Sequence, residues 1–231
     1  MADRKQLAIL HTNRMTVPGT LSLAREILPH TRIVNIVDDS LLEDVFAANG
    51  LTRQVTRRIC QYVLAAQDGG ADVIMNQCSS VGEAVDTARK LVDIPVLRMD
   101  EPMAREAVRR GPRIGVVATV ATTLDPTCRL IDQIALSMGN AIEIQHVLAE
   151  GAFDILRAGD KARHNAMVLE RIMAVKDSVD VIVLAQGSMA VLVPELESLG
   201  IPVLTSPRLG LLGVKKLLAQ INTDERKKSY V

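Results

Sequence analysis

A chain of 231 residues that is 48% hydrophobic has enough material for one large or two small α/β domains. Only 2% of it is aromatic and there is no Trp, so the core must be built from Ala, Val, Ile, Leu and Met. The same shortage excludes the stacked-ring platforms that hold single-stranded nucleic acid. Lys plus Arg (27) balances Asp plus Glu (27), which leaves no overall field to attract nucleic acid or an anionic membrane.

Taken in chain order, the opening MADRKQLAIL has basic groups but too few apolar residues for a secretory signal. Strand-like runs are expected at Gln6–His11, Arg32–Val37, Ala71–Asn76, Ile94–Leu97, Arg113–Ala118, Ala141–Val147, Val179–Ala185 and Ile201–Leu204. A helix-length amphipathic stretch follows each, the pattern of parallel strands covered by helices. In Leu51–Gln67, for example, Val55, Ile59, Tyr62, Val63 and Ala66 form one apolar stripe, and Gly69-Gly70 ends it. The longest nearly apolar stretch, Val181 to Val193, is interrupted by Gln186, Gly187 and Ser188, and it falls short of the ~20 residues that span a membrane. Cys60, Cys78 and Cys128 are odd in number and widely spaced, which argues against disulfides and thiolate zinc and for a reducing cytoplasm.

An internal repeat is visible. Asp72-Val-Ile and Asp180-Val-Ile stand 108 residues apart, Ile94-Pro-Val-Leu and Ile201-Pro-Val-Leu 107 apart, and Thr12 and Thr119 also 107 apart. The chain therefore reads as two similar four-strand α/β halves joined near Glu101–Pro112.

Ligands of open parallel sheets bind beyond the carboxyl ends of the strands. That rule selects the segments His11–Asn13, Asn76–Ser80, Ala118–Thr123 and Ala185–Met189, all rich in hydroxyl, amide and glycine groups suited to a small carboxylate or phosphate. Cys78 is their one strongly reactive residue. A helix beginning near Ser80 would favour its thiolate, although a small apolar residue at a strand end is an equal reading. Cys60 and Cys128 fall within helices and read as core. His11 ends the first strand and could act as an acid near neutral pH, against the plainer role of a hydrogen-bonded structural histidine. His164 on a helix and His146 at a strand end are weaker candidates, and His30 sits in a turn. No His pair has ligand spacing and no HExxH, GxxxxGK[ST] or GxGxxG is present, so neither a metal, a nucleotide nor another cofactor is expected. Arg57-Arg58, Arg109-Arg110 and the Asp224–Lys228 cluster read as solvated faces or helix ends.

The duplicated halves, Asp72 to Cys78 followed by Ser79-Ser80, and Ile114-Gly-Val-Val-Ala-Thr-Val-Ala-Thr122 together resemble the aspartate/glutamate racemase superfamily over essentially the whole chain. Amino-acid and hydantoin racemases, maleate isomerase and arylmalonate decarboxylase belong to it. The resemblance implies two facing α/β domains related by a pseudo-two-fold axis, expected here as 1–98 with 208–231 and as 99–207. It implies a small carboxylate in the interdomain cleft, bound by Asn13, Ser79, Ser80, Thr119, Thr122 and Ser188, with Gln186 and Gly187 beside them. Racemases of this kind use two cysteines, one from each half. Six residues after Asp180, where a second cysteine would answer Cys78, stands Gln186, which cannot exchange a proton at neutral pH. The resemblance thus leaves a racemase or isomerase with Cys78 as acid/base, a single-cysteine decarboxylase, nucleophilic attack by Cys78, or a binder that has lost its chemistry. A homo-oligomer is expected from the frequency of symmetric assemblies.

Overall fold

The computed structural model describes residues 4–228, with side chains up to Ile221. The side chains of the Asp224–Lys228 cluster therefore lie outside the described residues. The chain divides into two compact units, one running up to Met99 and resuming at Pro207, the other spanning Asp100–Ser206.

The first unit holds β1 (Gln6–His11), α1 (Val17–Ile27), β2 (Arg32–Val37), α2 (Ser40–Ala47), α3 (Arg53–Asp68), β3 (Val73–Asn76), α4 (Gly82–Ala88) and β4 (Val96–Arg98). Its four strands are parallel in the order β2-β1-β3-β4. Because strand side chains alternate between faces, Ala8, Leu10 and Ile74 pack against α2, α3 and α4, while Leu7, Ile9, Val73 and Met75 face α1 and the returning C-terminal segment. Helix α3 shows how the sequence sets this up. Thr52 caps it by accepting from Val55 N at 3.2 Å, and Val55, Ile59, Val63 and Ala66 form its buried stripe.

The second unit repeats the plan with α5 (Glu101–Arg110), β5 (Arg113–Ala118), α6 (Ala121–Met138), β6 (Glu143–Leu148), α7 (Ala152–Arg157), α8 (Lys161–Val175), β7 (Val181–Leu184), α9 (Val193–Leu196) and β8 (Val203–Thr205). Its sheet order, β6-β5-β7-β8, is the first order shifted by four strands. Val117, Ile182 and Leu184 pack against α8 and α9, and α5 and α6 contact each other and strands β7 and β5. Gly139 ends α6 in the left-handed region, φ 70°, a conformation that glycine adopts without penalty. The segment expected to join the halves is helical: α5 belongs to the second unit. The chain then re-enters the first unit as α10 (Ser206–Lys228), whose Leu211, Val214 and Leu218 complete the Leu7–Ile9–Met75 core.

Both halves share a clip at the start of their central strand. Asp72 Oδ2 accepts from Gln6 N at 2.7 Å while Asp72 N donates to Gln6 O at 2.8 Å. In the second half Asp180 Oδ2 accepts from Arg113 N at 2.9 Å and Asp180 N donates to Arg113 O at 2.7 Å. The repeated aspartate is thus a backbone fastener, remote along its strand from the reactive end.

Candidate active site

Strands β1 and β3 are neighbours and parallel, so the loops leaving His11 and Asn76 emerge side by side at the carboxyl end of the first sheet. Cys78 has extended backbone (φ −113°, ψ 119°) and precedes a 3-10 turn, Ser79–Val81, that runs into α4. Asn76 Nδ2 donates to the Cys78 carbonyl at 2.7 Å, and Gln77 N donates to Leu10 O at 3.0 Å, which fixes the loop against β1. The half-buried thiol meets the Thr12 hydroxyl, the Ser80 N–H and hydroxyl, and the Val81 N–H. Burial pushes its pKa up, and these four contacts offset only part of the shift. The thiolate-favouring helix start expected from the sequence is thus opposed by burial, since desolvation outweighs the N–H groups and holds the thiol pKa above its ordinary value.

Asn13 and Ser80 accompany Cys78 at this end. Asn13 Oδ1 accepts from Met15 N at 2.9 Å and so shapes the turn after β1. Ser80 is buried and Ser79 half-buried. Thr12, absent from the set of expected binding residues, is buried and touches the sulfur. Its 107-residue spacing from Thr119 was the signal that could have placed it there.

The second unit builds a corresponding end. Gln186 follows β7 by two residues, and its Oε1 accepts from Thr119 N at 2.7 Å and from Thr119 Oγ1 at 2.9 Å. A backbone N–H can only donate, so the amide orientation is fixed and the Nε2 group faces away from Thr119. Gly187 is half-exposed and Ser188 exposed, while Thr122, in the first turn of α6, has a buried Oγ1 without a hydrogen-bond partner.

His11 is buried, with Nε2 3.0 Å from Asn35 Oδ1 and Nδ1 3.2 Å from Thr16 Oγ1. Burial lowers its pKa, and the Asn35 bond only partly opposes this. Both ring nitrogens thus have partners within the protein, as a structural histidine would. His164 lies buried in the first turn of α8, with Nδ1 2.9 Å from Asn165 Oδ1. His146 is exposed inside β6, short of the strand end, and His30 is an exposed turn residue. Burial raises the Cys60 thiol pKa, and the buried Cys128 is pushed up to about 12 by desolvation reinforced by Asp125 and Asp132. Among the described residues no cluster of three or more His, Cys, Asp or Glu is arranged to hold a metal ion, and no helix is long and apolar enough to cross a membrane.

Two similar four-stranded parallel α/β units, each with short polar loops at its strand ends, define an α/β protein with the racemase fold. The chain belongs to the Asp/Glu/hydantoin racemase family, whose model matches residues 12–211. The fold is shared with allantoin racemase from Klebsiella pneumoniae (TM-score 0.70, 19% identity, 94% of this chain and 88% of that one). It is also shared with glutamate racemase from Francisella tularensis subsp. tularensis (0.73, 14%, 95% and 82%), and with a Gly74Cys mutant of arylmalonate decarboxylase (0.59, 16%, 92% of each). In sequence, 107 residues are 33% identical to a glutamate racemase from Gloeothece citriformis, covering 45% of this chain and only 38% of that protein.

Proposed function

We propose that this protein is a cofactor-independent enzyme acting at the carbon next to the carboxylate of a small acid, a racemase or isomerase in the broad sense, with Cys78 as its proton-transferring group. The observation that carries this reading is the Cys78 sulfur held by Thr12, Ser80 and Val81 at the carboxyl end of the central strands. A thiol with a raised pKa is a proton donor first. It gives its proton to a carbanion or enediolate carbon, and the Thr12 hydroxyl and the Ser80 and Val81 N–H groups receive the thiolate so formed. In the reverse sense the thiolate removes the α-proton. Ser79, Ser80, Thr119, Thr122 and Ser188 are proposed to bind carboxylate oxygens, and the Gln186 Nε2 group to donate to a substrate oxygen.

A second reading is supported by Gln186, whose Oε1 is held by Thr119 and which has no exchangeable acid. Decarboxylation of a malonate-like acid needs a proton on one face only. The bond to the departing carbon dioxide breaks, its electron pair enters the enediolate, and Cys78 protonates the carbon. Wild type and Cys78→Ala, incubated in deuterium oxide with amino acids, hydantoins, hydroxy acids and substituted malonates, distinguish the readings by proton NMR. Cys78-dependent loss of an α-proton signal supports the racemase or isomerase, and a Cys78-dependent decarboxylated product supports the decarboxylase. Binding shifts without turnover across the panel would make the protein a carboxylate binder and refute both.

A further inference from the structure

Arg98, the last residue of β4, is 1% exposed, which makes it the largest fully buried side chain among the described residues. A guanidinium is rarely taken so far from water without a specific task. It lies against the backbone of α4: a methyl group added at Gly82 would come within 2.3 Å of Arg98 Cζ and 2.4 Å of Nη2. One turn further along α4, Asp86 Oδ2 accepts from Arg98 Nη1 at 3.1 Å. Strand register reinforces the placement, since Arg98 pairs with Asn76, and Met99 N donates to Asn76 O at 2.9 Å. Asn76 in turn donates to the Cys78 carbonyl. Arg98 thus borders both ends of the reactive loop, its strand backbone pairing with Asn76 before Cys78 and its guanidinium seated on Gly82 after it. Nothing in the Asp-x-x-x-x-x-Cys pattern announces this role.

We propose that Arg98 is a positioning residue for Cys78: its guanidinium, seated on Gly82 and paired with Asp86, fixes the first turn of α4 and with it the Ser80 and Val81 N–H groups that face the sulfur. The inference builds on the role given to Cys78 above, but it is tested without any substrate, so a wrong assignment of the reaction leaves its outcome intact. A side chain at position 82 would push the guanidinium off this seat, so the absence of a Cβ there is what lets the two meet.

The test follows backbone amide exchange at Ser80 and Val81, and the pH dependence of iodoacetamide alkylation at Cys78 resolved by peptide mass spectrometry. In Arg98→Met and Asp86→Asn the two amides are expected to exchange at least about tenfold faster while those of β7 hold. The alkylation midpoint is expected to move up by at least about half a pH unit as the thiolate loses N–H donors. Arg98→Lys, which keeps the charge but not the planar fork, should recover part of both effects. Unchanged exchange together with an unchanged or lowered midpoint in folded variants would overturn the proposal. Should Arg98→Met fail to fold, Asp86→Asn and Gly82→Ala decide it, since Asp86 is partly exposed and Gly82→Ala displaces the guanidinium without removing its charge.

Discussion

Thr119 gives both its backbone N–H and its hydroxyl to a single acceptor, Gln186 Oε1, at 2.7 and 2.9 Å. In the first half the residue 107 positions earlier, Thr12, turns its hydroxyl to Cys78. The duplication has kept the threonine and changed what it holds. Gln186→Leu, close in size but without an acceptor, leaves a buried N–H and hydroxyl unpaired, since Thr119 is 3% exposed. The expected loss of stability is about 1–3 kcal/mol, read as a lowered urea midpoint.

Thr12→Val removes a donor from the Cys78 sulfur while preserving shape. The Thr12 bond lowers the thiol pKa against the larger effect of burial, so its loss sends the alkylation midpoint further up. Turnover falls with it, because a thiolate formed during proton donation would lack one of its stabilising partners. Alkylation kinetics across pH check the first effect, and kcat the second.

Cys128 offers a built-in control. Its pKa of about 12 keeps it neutral in the native protein, where it is 3% exposed on α6. Native protein should react with a disulfide reagent at Cys78 and spare Cys128 until denaturant is added. The unfolded chain ionises this thiol near its ordinary value of about 8.5 whereas the folded one does not. Stability contributed by the protonated thiol is therefore present below that pH and declines as pH rises toward 12, by up to about 1.4 kcal/mol per unit. Urea melts between pH 8 and 11 measure the slope.

Just beyond β2, Asp38 accepts from Arg58 Nη2, from Tyr62 Oη at 2.6 Å and from Ser40 Oγ at 2.7 Å, and Arg58 also reaches Asp44 at 2.8 Å. Burial alone would raise the Asp38 pKa, but the bonds from Tyr62, Ser40 and Arg58 and the guanidinium charge overcome it, so the carboxyl lies below its usual range. The stabilisation is complete above the ordinary carboxylate value of about 3.9 and is lost as pH falls through the lowered one. Asp38→Asn should cost about 1–2 kcal/mol at neutral pH. The gap between variant and wild type should close in acid, as chemical denaturation at pH 7 and pH 3 can test.

Asp72, the first residue of the Asp-to-Cys spacing, fastens the start of β1 and also meets Lys5 at 3.1 Å. Asp72→Ala should lower thermal stability yet leave the Cys78 alkylation profile unaltered. A shifted profile would mean that the clip reaches the thiol.

The repeat was legible because the two halves retain Asp-Val-Ile and Ile-Pro-Val-Leu at matching depths, and the parallel architecture followed from it. Strand starts were less legible. Ala71 and Val179 are apolar and buried, yet the strands begin at Val73 and Val181, because the Gln6 and Arg113 N–H groups go to the carboxylates of the intervening aspartates and not to a backbone carbonyl. Pro95 and Pro202 have no N–H to donate, so β4 and β8 begin at Val96 and Val203, two residues after the expected Ile94 and Ile201. Hydrophobic pattern reports burial, and pairing depends on where each N–H goes. At the site, Cys78 and Gln186 could be found by counting from their aspartates. The depth that raises the Cys78 pKa could not, nor could the link from Arg98 to Gly82, which joins residues 16 apart through a guanidinium that the pattern would leave on the surface.

Helix α10 has a consequence for the order in which the molecule is made. Its Leu211, Val214 and Leu218 fill the core beneath Leu7, Ile9 and Met75, but they leave the ribosome only after Asp100–Ser206 has been synthesised. The half encoded first is thus finished last. Until then α1 is the one helix of the first unit lying on that face of the β1–β4 sheet, whereas the second half is contiguous in sequence. During that interval the Leu7–Ile9–Met75 side of the sheet lacks three of its apolar neighbours, and it is the surface on which a nascent chain is open to association.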